Sequence, residues 1–222
     1  MTTLISKMMR RRITLLDVIL KAPTVYRFLH QQELMGKQVA PPVDRSRCEA
    51  ELPNDIWQSD AMHGPMLLVG DKRRETYLFA LIDGMSRLIV HAEFYLSEGL
   101  ATYLPALRQA LLKRGLLRKL YLDNGPIFRF HNLEEITASL DIALVHSPPY
   151  VHQGRGKIER LFRTVRSQFL PGFKDDTLRD INEALECWIR DVYHQCKYLG
   201  TGQAPLQRFT SKVECVRPAP PT

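Results

Sequence analysis

Residues 76–95 read TYLFALIDGMSRLIVHAEFY, two β-rich segments separated by a short polar turn. Thr76–Ile82 and Leu88–Tyr95 are rich in aromatic and branched residues, which favour strands. Asp83-Gly84-Met85-Ser86 between them is typical of a hairpin connection. This stretch therefore predicts an antiparallel hairpin inside a sheet.

The segments around this hairpin alternate between strand and helix patterns. Ile56–Met62 precedes it as a predicted strand, and Leu100–Arg114 follows as an amphipathic helix that ends at Gly115. The remaining predicted elements are a strand at Leu117–Leu122, a helix at Asn132–Leu140, a strand at Ile142–Val145, and a helix with the apolar stripe Ile158, Leu161, Phe162, Val165 and Phe169. The order β-β-β-α-β-α-β-α predicts a mixed α/β fold around one sheet.

The predicted core, residues 55–175, has a different segment on each side. Residues 1–36 are helical in pattern, with a break at Pro23, and are compatible either with a partial helix-turn-helix-like DNA-binding segment or with two ordinary amphipathic helices. Residues 37–54 contain three prolines and no periodicity, which is typical of a linker. Residues 176–222 predict a C-terminal helix, Leu178–Tyr193, and a turn-rich tail.

Charge is concentrated in two places along the 222 residues. The net charge is +7, yet residues 1–50 carry nine Lys and Arg against four Asp and Glu, and residues 152–175 carry six against two. Such basic segments favour a polyanionic partner such as DNA, although a solvated surface would have the same composition. No apolar run approaches the ~20 residues of a membrane span, and no signal peptide is predicted.

The four cysteines, Cys48, Cys187, Cys196 and Cys215, are not spaced as zinc ligands. They predict free thiols that are buried or partly buried.

Three acidic residues stand out by their positions. Asp60 lies in or at the end of the first predicted strand, Asp123 directly follows an apolar strand, and Glu159 lies beside the apolar stripe of a helix. Carboxylates at strand ends favour Mg²⁺ or Mn²⁺, and two such ions can promote phosphodiester displacement. Ordinary roles remain open, because Asp123-Asn124-Gly125 is a plausible turn and Glu159 could pair with Arg163.

Thirty-five residues, 124–158, separate Asp123 from Glu159, and each acid has a distinctive local sequence. The motifs are Trp57-Gln58-Ser59-Asp60, Leu81–Arg87 (LIDGMSR), Leu122-Asp123-Asn124-Gly125, Gly156-Lys157-Ile158-Glu159-Arg160, and Tyr193-His194 with Gly200–Leu206 (GTGQAPL). In this order they resemble the DDE transposase and retroviral integrase superfamily, specifically bacterial insertion-sequence transposases of the integrase-core type.

The resemblance covers about residues 55–210 and implies a ribonuclease H-like five-stranded sheet flanked by helices. It implies that Asp60, Asp123 and Glu159 are the catalytic residues and hold two Mg²⁺ or Mn²⁺ ions. Asp83, in the hairpin turn, is expected to be structural, and His63 to form a local hydrogen bond.

The resemblance also implies DNA contacts in the loop before Glu159 and on the helix that carries it. The candidate residues are Tyr150, His152, Gln153, Arg155, Lys157, Arg160, Arg163 and Arg166, with Arg27 from the N-terminal segment. Glycines at 154 and 156 would allow close approach to the DNA backbone, and the cations would neutralise phosphates.

The expected function is metal-dependent cleavage of DNA 3′ ends and strand transfer by a homo-oligomer, in the cytoplasm and on the nucleoid when DNA is bound. Two alternatives remain open. One is a ribonuclease H-like nuclease that cuts without joining. The other is a truncated, catalytically weak DNA-binding relic or regulator, since few residues precede Thr24 or follow Pro205 compared with related transposases.

Overall fold

The computed structural model describes residues 50–123, 131–146, 156–174 and 177–219, and these form the sheet and its flanking helices. The hairpin at residues 76–95 is confirmed as β2 (Lys72–Asp83) paired antiparallel with β3 (Ile89–Tyr95). The predicted N-terminal segment at 1–36, including Arg27, and most of the linker lie outside the described residues.

A five-stranded sheet in the order β3-β2-β1-β4-β5 organises the chain. Strand β1 (Ile56–Val69) is antiparallel to β2 and parallel to β4 (Lys119–Leu122), which is in turn parallel to β5 (Ala143–His146). The predicted element order is confirmed. Strand β1 is longer than the predicted Ile56–Met62 and continues past a bulge between His63 and Met66.

Helices cover both faces of the sheet. On one face, α1 (Leu100–Arg114) packs on a cluster that includes Trp57 and Leu120, and α2 (His131–Ser139) adds Leu133 to that cluster. On the other face, α3 (Gly156–Thr164) and α4 (Leu178–Trp188) pack on a cluster that includes Met62. Both α3 and α4 continue as π-helical turns, at Val165–Phe169 and Ile189–Tyr193.

The turn between β2 and β3 is built around the fully buried carboxylate of Asp83. One oxygen accepts the backbone N–H of Asn54 at 2.9 Å, and the other accepts the backbone N–H and the hydroxyl of Ser86 at 2.7 and 2.6 Å. These bonds confirm the structural role expected for Asp83. They also bind residue 54, at the end of the predicted linker, to the core.

Polar side chains cover the outer edge of β3. Asn182 of α4 accepts the N–H of Phe94 at 2.7 Å and donates to its carbonyl at 3.0 Å. The His194 Nε2 lies 3.2 Å from the N–H nitrogen and 3.1 Å from the carbonyl oxygen of Ile89. Burial, with a smaller effect of Arg114, lowers the pKa of His194 to about 4, so this imidazole is neutral at pH 7.

The tail after α4 returns to the segment between α1 and β4. A short helix, α5 (Pro205–Thr210), is followed by a segment in which the Arg217 carbonyl accepts the N–H of Leu116 at 2.8 Å. Cys187, Cys196 and Cys215 are free, but they are exposed, so their predicted burial is wrong, and Cys48 lies outside the described residues. The three free cysteines lie at exposed positions in helices and turns. The lack of zinc-ligand spacing predicts that the thiols are free but does not show whether they are buried. Among the described residues, no helix is long and apolar enough to cross a membrane.

Replacing Gly115 by Ala is expected to lower the free energy of unfolding by about 2–4 kcal/mol. Gly115 has φ = +81°, and a Cβ there would lie 2.3 Å from the Arg217 carbonyl oxygen. Urea unfolding would measure the loss. Gly99→Ala is the matched control, because a Cβ at Gly99 meets nothing within 4 Å. Equal stability of the two variants would contradict this account of the tail.

Candidate active site

Asp60 lies on the face of the sheet that α3 covers. Side chains alternate along β1, so Gln58, Asp60 and Met62 share one face while Trp57 packs with the cluster on the other. Asp60 is 9% exposed, and one of its oxygens accepts the N–H of Ala61 at 2.9 Å. A carboxylate thus occupies a largely buried position within a strand of the sheet.

Asp123 follows the last residue of β4, the strand parallel to β1. The register pairs Trp57 with Leu120 and ends with the pair Gln58 and Tyr121. Continued by two residues beyond that pair, the same register would set Asp123 level with Asp60. Adjacent strands are ~4.8 Å apart, and residues level with each other point to the same face. Parallel pairing therefore brings two carboxylates that are distant in sequence to neighbouring positions.

Glu159 lies in the first turn of α3, on the same side of the sheet. The predicted stripe Ile158, Leu161, Phe162, Val165 and Phe169 is buried throughout, which confirms the orientation of the helix. Glu159 itself is exposed beside this stripe. The backbone N–H of Ile158 donates to the Gln58 Oε1 at 3.3 Å, so the turn that carries Glu159 contacts the strand that carries Asp60.

The donor set fits a hard divalent cation in kind, because all three candidate groups are carboxylates. Their positions fit less closely. Within residues 50–123, 131–146, 156–174 and 177–219, no three His, Cys, Asp or Glu side chains are grouped as metal ligands. The structure thus places Asp60 in β1, Asp123 directly after the neighbouring strand β4 and Glu159 on the helix above that face, and it does not group the three as metal ligands.

The basic residues of α3 fall into two groups. The Lys157 Nζ donates to the Gly84 carbonyl at 3.0 Å, and the Arg160 Nη1 lies 3.5 Å from the Tyr198 hydroxyl, so both contact other parts of the protein. Arg163 and Arg166 are exposed and line an open groove with Glu159, Phe162 and Ser167. The DNA contacts expected of Arg163 and Arg166 stay predictions, whereas Lys157 has a structural contact that its charge alone does not reveal.

The other DNA-contact residues predicted near Glu159 lie outside the described residues: Tyr150, His152, Gln153 and Arg155. The expected hydrogen bond of His63 is present, since its Nδ1 lies 2.8 Å from the Glu75 carboxylate. His146 lies beside the candidate site, with its Nδ1 3.3 Å from the Asp123 carbonyl oxygen.

Two contributors to the site were not among the predicted residues. Gln58 and His146 both contact the backbone of residues at or next to the acids. Strand alternation places Gln58 on the same face as Asp60 and is a signal that could have identified it. His146 has no comparable signal, because its contact depends on the parallel pairing of β4 and β5.

Known proteins resemble this chain both in sequence and in fold. Residues 50–152 match the integrase core domain family. The transposase of transposon Tn552 from Staphylococcus aureus is 29% identical over 187 residues, an alignment that covers 73% of this chain and 38% of that transposase. The Gag-Pro-Pol polyprotein of simian retrovirus SRV-1 is 28% identical over 116 residues, covering 52% of this chain and 6% of the polyprotein.

Solved structures share the fold at lower identity. The HTLV-2 integrase catalytic core domain in complex with magnesium, in its trimeric form, aligns with a TM-score of 0.55 and 21% identity, covering 72% of this chain and 99% of that domain. The catalytic core domain of BIV integrase gives the same TM-score, covering 71% and 95%. The five-stranded sheet is thus the ribonuclease H-like sheet of integrase cores.

The family match includes Asp60 and Asp123 and ends before α3, while the Tn552 relative and the integrase cores extend the similarity over more of the chain. Residues 50–152 of this chain match the integrase core domain family, and the similarities to the Tn552 transposase and to retroviral integrases support the DDE transposase and retroviral integrase catalytic core superfamily.

Proposed function

We propose that this chain catalyses metal-dependent cleavage of DNA 3′ ends and their transfer to target DNA, with Asp60, Asp123 and Glu159 as the catalytic residues. The observation that carries the proposal is the parallel pairing of β1 with β4, which ends at Gln58 and Tyr121. Continuing that register by two residues would bring Asp60 level with Asp123 on the face that α3 covers. Similarity to the integrase core family and to the Tn552 transposase supports DNA as the substrate class. The chain spans less than two fifths of the length of the Tn552 transposase, so the reaction is proposed for this core.

Two Mg²⁺ or Mn²⁺ ions held by these three carboxylates would activate the attacking oxygen and stabilise the leaving oxygen of the phosphodiester. Asp60 lies in β1 and Asp123 directly follows the neighbouring strand β4, and ligands carried by or next to rigid elements are held more precisely than ligands on loops. Glu159 reaches the same face from the first turn of α3. No side chain needs to act as nucleophile, so we expect no covalent protein–DNA intermediate.

The exposed Arg163 and Arg166 would bind the DNA backbone next to this site. Each guanidinium can donate two parallel hydrogen bonds to a phosphate, which orients the strand as well as attracting it. The groove that these residues line also contains Glu159, so a bound backbone would pass beside a catalytic carboxylate. We further propose that the active form is a homo-oligomer, since joining two DNA ends requires two ends to be held together.

Replacing Arg163 and Arg166 together by Gln is expected to weaken DNA binding for all sequences alike. The plot of log affinity against log salt concentration has a negative slope. The magnitude of that slope should decrease by about 2, one for each lost phosphate contact. Fluorescence anisotropy at several salt concentrations would measure it. Arg179→Gln is the matched control, because Arg179 is exposed on α4 and pairs with Glu183. An unchanged slope in the double variant would exclude these arginines from the DNA contact.

The whole proposal is tested with labelled duplexes of the inverted repeats that flank the gene, a supercoiled target plasmid, and Mg²⁺, Mn²⁺ or EDTA. Cleavage and joined products that need the metal would support it. Cleavage without joining would indicate a nuclease, and DNA binding with neither reaction would indicate a regulator. A stable Ser- or Tyr-linked DNA adduct would contradict the proposed chemistry.

A further inference from the structure

Gln58 joins the strand that carries Asp60 to the helix that carries Glu159. Its side chain is 3% exposed and lies on the face of β1 that contacts α3. Its amide oxygen accepts the N–H of Ile158 at 3.3 Å, a bond between residues that are 100 positions apart. Asp60 follows Gln58 by two residues on the same face, and Glu159 directly follows Ile158.

The bond has a clear physical reason. The first four N–H groups of a helix have no partner within the helix, and Ile158 is the third residue of α3. A buried N–H without an acceptor is costly, so the first turn is held where Gln58 supplies one. The Ile158 side chain is only 1% exposed and packs in the core, which fixes the same turn from a second direction.

We propose that Gln58 is a positioning residue, which holds Glu159 in place relative to Asp60 through the backbone of Ile158; the proposal rests on the proposed function. A neutral amide suits this role. It accepts the N–H without adding a negative charge beside two carboxylates that would share metal ions.

Gln58→Met is the informative variant, because Met keeps the length and bulk of the side chain and removes the acceptor. The matched control is Asn182→Leu, which removes a comparable bond between a helix and a strand, at Phe94 and away from the three acids. Thermal unfolding of both variants shows how much of each effect is a general loss of stability.

The first readout needs no metal. Amide hydrogen exchange of the metal-free protein, resolved by NMR, should show faster exchange at Ile158 in Gln58→Met and unchanged exchange there in Asn182→Leu. The second readout is direct Mn²⁺ binding, followed by the EPR signal of free Mn²⁺. Gln58→Met should bind Mn²⁺ about 10-fold more weakly, the usual effect of losing a group that orients a metal ligand.

The third readout is kinetic. Half-maximal strand transfer by Gln58→Met should require a correspondingly higher Mg²⁺ concentration, while the KM for DNA stays at the wild-type value. Faster exchange at Ile158 with wild-type Mn²⁺ affinity and Mg²⁺ dependence would overturn the positioning role and leave the proposed function standing. Wild-type protein that neither binds Mn²⁺ nor joins strands would contradict the proposed function, and the positioning role with it.

Discussion

Replacing Asp60 or Asp123 by Asn, or Glu159 by Gln, is expected to reduce strand transfer by at least about 1000-fold. Each amide keeps the size of the side chain but loses the charge that holds the metal, and metal stabilisation contributes several kcal/mol to the transition state. The measurement is the initial rate of joined product at saturating Mg²⁺. DNA binding should stay measurable, because it depends on cations elsewhere on the surface.

Asp71→Asn is the matched control for these variants. Asp71 is exposed in the turn between β1 and β2, at the opposite end of β1 from the predicted triad motif. The same change of charge there should leave the rate unaltered. Near-normal strand transfer by any one of the three triad variants would remove that residue from the catalytic set.

Replacing Asp83 by Ala is expected to lower the free energy of unfolding by about 4 kcal/mol. The change leaves the N–H of Asn54, the N–H of Ser86 and the Ser86 hydroxyl without their acceptor, in a turn where Asp83 and Ser86 are fully buried. Urea unfolding would measure the loss, with Asp71→Asn again as the control. If the urea concentration at the midpoint of unfolding were the same for Asp83→Ala and wild type, the structural role of Asp83 would be contradicted.

Asp83→Asn separates the structural carboxylate from the catalytic ones. It retains one acceptor oxygen and places an amide N–H₂ group against a donor, so we expect a smaller loss of about 2 kcal/mol. The folded molecules should still carry out metal-dependent strand transfer. Loss of activity without loss of stability would instead indicate that Asp83 acts in the reaction.

The difference in stability between wild type and Asp83→Asn is expected to depend on pH, because Asp83 is buried. Burial raises the pKa of Asp83, although hydrogen bonds from Ser86 and Asn54 oppose the shift. The folded protein therefore holds this proton more tightly than the unfolded chain, and the stabilisation is lost as the pH rises through the folded-state pKa. The stability advantage of wild type over Asp83→Asn should narrow as the pH rises above about 4, the unfolded value.

The sequence was sufficient for the hairpin and for the helix at Leu100–Arg114, because both have clear periodicity and recognisable end signals. It was not sufficient for the second half of β1. Gly64-Pro65 interrupts the strand pattern there, and the structure accommodates Pro65 at the bulge, where its carbonyl accepts the Thr76 hydroxyl at 2.8 Å. That compensation involves a residue on another strand, which local pattern cannot show.

The candidate site, too, could be predicted from the sequence only in part. Strand and helix patterns place Asp60, Asp123 and Glu159 on their elements, and the resemblance selects them from the other acids. Only the pairing of β1 with β4 shows that Asp123 follows the strand next to the one that carries Asp60. Charge alone could not separate Lys157, which donates to the Gly84 carbonyl, from the exposed Arg163 and Arg166. The roles of such cations depend on contacts across the fold.

The covered edge of β3 bears on how copies of this protein can associate. An open edge strand offers free N–H and C=O groups to a strand of another molecule, which is a common route to aggregation. Here Asn182 and His194 already occupy such groups on Phe94 and Ile89, in the manner of an additional strand. Copies of this protein would therefore be discouraged from joining sheet to sheet along the β3 edge.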